Sequence, residues 1–137
     1  MISKIDGFEP ISLPIKSDNS NLFTNAKGKV CGFGSTKDAI SNKLNFAKAI
    51  VIENEACTPY HNMAPSNLCT KGEDYDRERA CYSDLGSPLA IYIDYVPTLI
   101  GIFSTHSWEC NQQFSVFYER ITSHMQWLTD NSEARQF

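Results

Sequence analysis

Five cysteines, three histidines and one mixed-charge stretch are the side chains of this sequence best able to do chemistry. Cys57, His61 and Cys69 offer three soft donors, but no second close pair completes the tetrahedral set that zinc takes. Between two cysteines runs Lys71-Gly72-Glu73-Asp74-Tyr75-Asp76-Arg77-Glu78-Arg79. Glu73, Asp74, Asp76 and Glu78 would offer oxygens to calcium, yet their spacing lacks the alternation of an EF-hand; a solvated loop is the plainer reading. Gly32-Phe33-Gly34 lacks the third glycine and the following helix of a dinucleotide-binding loop. No metal and no cofactor is expected.

The elements that must position these groups are those of one small domain, since 137 residues suit a single hydrophobic core. An aromatic share of 12% with only 20% charged residues excludes a disordered linker protein. No apolar run reaches the roughly 18 residues of a membrane span, so no membrane association is expected. A net charge of −4 argues against nucleic acid, whose binders carry a basic stripe. Met1–Gly7 holds no apolar signal-peptide core, so a secreted protein would have lost its leader already. Short apolar runs bounded by turn residues predict strands at 29–33, 45–52, 68–71, 89–94, 98–105 and 116–121. Tyr95-Val96-Pro97 is read as the turn of a hairpin between the fourth and fifth strands. A short helical turn is expected around Cys57, over 54–60. Ser123 and Gln126 have the spacing of a capping box, and a helix is predicted over about 124–131. The pattern is all-β: a barrel or sandwich with one C-terminal helix.

The run Ala80-Cys81-Tyr82-Ser83-Asp84-Leu85-Gly86-Ser87-Pro88-Leu89 resembles the segment around the nucleophile of trypsin-like serine proteases, Cys-x-Gly-Asp-Ser-Gly-Gly-Pro-Leu. Pro10-Ile11-Ser12-Leu13-Pro14, Gly32-Phe33-Gly34, Ile100-Gly101-Ile102-Phe103-Ser104, Arg120-Ile121-Thr122 and Trp127-Leu128 resemble further motifs of that family, in order. The resemblance covers roughly residues 9–129. It implies a single antiparallel Greek-key barrel of about six strands like the second barrel of such a protease. An extended segment over 1–27 would wrap a barrel formed by 28–137. The first barrel, which carries the family's catalytic His and Asp, has no counterpart in the residues matched.

Serine-protease chemistry needs a hydroxyl nucleophile, a histidine to take its proton and a carboxylate to orient that histidine. The resemblance puts Leu85 at the nucleophile position, with Ser83 and Ser87 where the family has glycines. His61, His106 and His124 do not match the catalytic histidine, so a non-catalytic homologue is expected. Arg79 stands at the base of the specificity pocket, and His106 and Val116 replace glycines of its wall, which predicts a blocked pocket. Asp84 matches the family's partner for an activating N-terminal amine; it is expected to find Arg79, a backbone N–H cluster or solvent, and so to be solvent-accessible or hydrogen-bonded locally. The resemblance pairs Cys57 with Cys69 and Cys81 with Cys110, loops of about 13 and about 30 residues, worth about 3 and about 3.6 kcal/mol in a chain-entropy model. Gly28 and Ile91 occupy the positions of a further family disulfide, and Ser12 that of the interdomain cysteine. Cys31 is left over, read as a buried free thiol, with an intermolecular disulfide as the alternative.

These implications add up to a secreted, non-catalytic protease homologue that works by contact with a protein. Arthropod relatives of this kind serve in immune cascades, venoms and saliva, which points to host haemostasis, vascular tone or inflammation. Leu85, Asp84, Ser104 and His106 form the expected interaction face, and a homodimer would be another way to cover it. A small-ligand or anion binder using the altered pocket is the alternative.

Overall fold

A computed structural model describes residues 7–15, 22–34, 41–57, 63–73, 84–105 and 115–132. Period-two burial builds its strands: Val30 in β1 (Lys27–Gly32) and Ala47, Ala49 and Val51 in β2 (Asn45–Ile52) turn inward, while the lysines between them turn out. β3 (Asn67–Gly72), β4 (Pro88–Ile93), β5 (Val96–Thr105) and β6 (Val116–Arg120) complete a closed barrel in the order β1-β2-β3-β6-β5-β4. Every pair is antiparallel, and β4 returns across the barrel to close on β1, which gives the Greek key. Leu68, Leu89, Ile100, Phe103 and Tyr118 fill the interior, with the Phe103 and Tyr118 rings 5.6 Å apart. Closure gives each of the six strands a neighbour on both sides.

The register explains a substitution pattern visible in the sequence. Gly28 and Ile91 face each other directly across the β1–β4 ladder. A Cβ at Gly28 would lie 2.9 Å from the Ala90 carbonyl oxygen and 3.2 Å from the Ile91 side chain. The isoleucine thus occupies the room that the glycine leaves.

Three local expectations are corrected. The hairpin between β4 and β5 turns at Asp94-Tyr95, both with positive φ (48° and 66°), the backbone of a two-residue type I′ turn; Val96 and Pro97 already belong to β5. That turn twists with its strands, whereas the three-residue loop read from Pro97 would not keep the Ile93–Val96 pairing. The capping box does not form: a 3-10 turn over Ile121–His124 precedes α1 (Met125–Asn131), and Gln126 donates to Asp130 instead. The helical turn near Cys57 is shorter than expected, a 3-10 turn of Asn54–Ala56 with Cys57 already extended; residues 58–60 lie outside the described residues. In α1, Met125 is buried, whereas Trp127 is 63% exposed.

The segment ahead of β1 reaches the barrel at Ser12. Its N–H donates to the Pro97 carbonyl (3.3 Å), and the Leu99 N–H donates to its carbonyl (2.9 Å). The β5–β6 ladder begins only at Gly101, so Ser12 serves the stretch of β5 that β6 does not reach.

Cys57 and Cys69 are joined in a disulfide, and both are wholly buried against Phe117, with Ile52 and Met63 alongside. The bridge ties the 3-10 turn to β3 across a sequence separation of 12. Replacing both cysteines by alanine is expected to cost about 3 kcal/mol, the loop-closure entropy of a loop this long. Urea denaturation of the double variant checks this; an unchanged midpoint would show that the bridge contributes nothing.

Candidate functional site

The site is built on a turn between residues 84 and 88. The Ser87 N–H donates to the Asp84 carbonyl (2.8 Å), and Gly86 takes a φ of 88°, which a side chain rarely adopts. This hydrogen-bonded turn carries Leu85 at its apex, 55% exposed. Two further backbone bonds fix it to β5: Gly86 N–H to the Phe103 carbonyl (2.8 Å) and Phe103 N–H to the Ser87 carbonyl (2.9 Å). They bring exposed Ser104 beside the Leu85 turn.

Asp84 is not displayed with them. It is buried, and its Oδ1 accepts a hydrogen bond from the Gly34 N–H (2.8 Å), 50 residues upstream. The expectation of a solvent-accessible or locally bonded carboxylate is corrected in its place but not in its chemistry: a backbone N–H was among the expected partners, and the one found lies two residues past β1 rather than nearby in sequence. The glycines explain why the carboxylate fits. Ideal Cβ atoms at Gly32 and Gly34 would lie 2.0 Å and 2.2 Å from its oxygens, so only residues without side chains leave the space. Both glycines, the last residue of β1 and the second residue past it, face the same carboxylate. In the sequence this Gly-x-Gly counted as a motif of the family resemblance and not as a dinucleotide-binding loop, but nothing in it named Asp84 as the group it makes room for.

The negative charge of Asp84 is felt in the core. Burial pushes the Tyr118 hydroxyl well above the usual tyrosine range, the Asp84 carboxylate adds to that rise, and a hydrogen bond with Thr70 works against it. Neutral Tyr118 therefore holds a place in the barrel interior as a hydrogen-bonding, non-ionising group.

Val116 lies in the barrel core, against the same cluster as Tyr118. Ser83, Arg79, His106, Cys81 and Cys110 lie outside the described residues, as does His61. Leu85 and Ser104 each adjoin a residue of the Gly86–Phe103 backbone bond, and both are exposed; Asp84, at the start of the turn, is buried. His124 is exposed at the start of α1, with Nε2 2.7 Å from Glu119 Oε1. Cys31 is a free thiol, but it is half-exposed on the outward side of β1 opposite Phe46, which corrects the expectation of burial. Val30 takes the inward position, and alternation leaves the next residue outside. Among the described residues no three His, Cys, Asp or Glu side chains converge as a metal site, and no helix is long and apolar enough to cross a membrane.

A closed six-stranded Greek-key barrel, with an aspartate and a short turn at one end, defines the class of the trypsin-like second barrel. The family model described as Trypsin matches residues 2–128, and the chain belongs to that family. Similar proteins include coagulation factor XI of Bos taurus, 25% identical over 90% of this chain and 20% of its own length. Glucanase inhibitor protein 2 of Phytophthora sojae is 27% identical over 98% of this chain and 48% of its own. Glucanase inhibitor protein 3 of the same organism is 28% identical over 93% of this chain and 94% of its own. The solved structure of HL collagenase superposes with a TM-score of 0.80 at 27% identity, covering 95% of this chain and 56% of that one. The chain thus spans half or less of the length of the first two relatives.

Proposed function

We propose that this protein is a non-catalytic member of the trypsin family that acts by binding another protein through the Leu85 turn. The observation that carries the reading is Leu85 itself. The position that resembles the family's nucleophile holds an alkyl side chain, fixed on a hydrogen-bonded turn and more than half exposed. An isobutyl group cannot attack a carbonyl, whereas an exposed apolar apex on a rigid base is what a protein contact uses. Ser104 supplies a polar neighbour at the rim. Relatives named as glucanase inhibitors fit the same reading, since a protein that inhibits an enzyme by contact has to bind it.

The narrower reading is of a secreted protein whose target belongs to an extracellular cascade, in host haemostasis, vascular tone, inflammation or immunity. The Cys57–Cys69 bridge supports an oxidising compartment. The anion-binding alternative would rest on Arg79 and His106, which lie outside the described residues.

The test pairs hydrolysis with capture. Neither the protein nor its Leu85→Ser variant is expected to turn over peptide or ester substrates, because a hydroxyl alone has no base. Immobilised protein is expected to retain a protein from blood plasma or vascular tissue that the Leu85→Asp variant fails to retain. Turnover by the unaltered chain would overturn the non-catalytic reading. Equal retention by Leu85→Asp would remove the turn from the interface.

A further inference from the structure

Four exposed lysines stand on the outer side of β1, β2 and β3. Lys27 and Lys29 alternate with buried Gly28 and Val30, Lys48 lies between buried Ala47 and Ala49, and Lys71 follows buried Thr70. Strand alternation therefore sends all four outward. The register sets Lys29 directly across from Lys48, and Lys71 across from Ile50. Directly opposed side chains on one face are about 5 Å apart at Cβ, and like charges there are destabilising. A chain with a net charge of −4 nonetheless places its cations this way. Among the described residues the other cations are Lys43, just ahead of β2, and Arg120, which is buried.

Glu73 is the acid that the described residues contribute beside these lysines. Its Oε1 lies 2.6 Å from Lys27 Nζ, and that hydrogen bond, with the charge of Lys48 behind it, holds its carboxyl below the usual range. One carboxylate already finds the face favourable. Apolar surface borders the charges: Phe46 is 54% exposed, with Lys29 Nζ 5.3 Å from its ring centroid.

We propose that the outer face of β1–β3, with Lys29, Lys48 and Lys71 at its centre and Phe46 at its border, docks an acidic segment of a partner protein. Charge complementarity selects the class, and the size of the patch selects within it. Strands about 4.8 Å apart make the face about 10 Å wide, close to the screening length of about 8 Å at physiological salt. A few carboxylates on one peptide segment match that footprint. A long polyanion or an anionic bilayer would extend past it onto a protein of opposite preference. Lysines are compact point charges, without the fork geometry by which arginine grips phosphate or sulfate. This surface is independent of the Leu85 turn, so either reading can fail alone.

The probe is fluorescently labelled octaglutamate, titrated with the full chain at low salt and followed by anisotropy. Binding is expected to weaken about tenfold in Lys29→Gln/Lys48→Gln, as two exposed charge contacts imply. It is expected to weaken with added salt and to tighten in Glu73→Gln. Lys48→Gln alone is expected to leave the thermal midpoint unchanged or higher, because it relieves an opposed like-charge pair. A residue serving only the fold would instead lower it. Absent binding, or binding indifferent to the lysine variants, would overturn the proposal. So would a sulfated oligosaccharide or phosphatidylserine vesicles binding through these lysines as well as octaglutamate does.

Discussion

Replacing Arg120 by alanine is expected to lower the stability of this protein by about 3–5 kcal/mol, much of what a small domain has. Arg120 is the last residue of β6 and is almost wholly buried, 5% exposed. Its Nε donates to the Pro65 carbonyl (3.3 Å), its Nη1 to the Leu22 carbonyl (3.1 Å) and its Nη2 to the Asn67 carbonyl (2.8 Å). One side chain thus joins the segment ahead of β1, the turn before β3 and β3 itself, positions as far as 98 residues away in sequence. Burial pulls the guanidinium below its ordinary range without neutralising it. Charge-assisted donors of this kind are each worth about 1.5–3 kcal/mol, and removing them strands acceptors besides. Asn67 keeps a second donor in Asn54, and the exposed rims of Leu22 and Pro65 admit water, which sets the upper limit. Lysine would rescue little, because one ammonium cannot reach three separated carbonyls in a fixed fork. Urea denaturation measures the loss, and hydrogen exchange should show faster opening at 22–26 and 63–67. A cost below about 1 kcal/mol would mean that solvent takes over these carbonyls and that Arg120 is not the clamp.

What the sequence made legible was whatever is local. The six strands followed from short apolar runs bounded by turn residues, and all six appear within two residues of the expected bounds. The outward position of Cys31 was equally readable from Val30 beside it, but a count of leftover cysteines drew the reading inward. The clamp of Arg120 was not legible, since its partners are backbone carbonyls, which every residue has. The same holds for Asp84: its turn was recognisable, but the donor is a backbone N–H 50 residues away. The Asp94-Tyr95 turn was missed for a related reason. Pro97 is the conspicuous residue there, whereas the positive φ is borne by an aspartate and a tyrosine.

Asp84 and its two glycines yield the second large effect. Gly34→Ala would place a methyl carbon 2.2 Å from the carboxylate oxygen that it must clear. That oxygen is Oδ2, and the rigid carboxylate cannot swing it clear without also moving Oδ1, which accepts from the Gly34 N–H at 2.8 Å. Overpacking and a lost charged hydrogen bond together are expected to cost about 3–5 kcal/mol. Asp84→Ala should cost about 2–3 kcal/mol, since it leaves a buried donor unmet. The two effects should not add. Once the carboxylate is gone, the new methyl at position 34 enters the space it held, and the double variant is expected to be about 1–3 kcal/mol more stable than the sum of the singles. A double-mutant cycle by urea denaturation measures this coupling, and additivity would show that the glycines do not grip Asp84. The consequence for function follows from adjacency. Leu85 is the next residue, so its presentation depends on the aspartate beneath it, and Asp84→Ala should weaken retention of the protein partner even at temperatures where the barrel stays folded. Unchanged retention would locate the rigidity of the turn in its bonds to Phe103 instead.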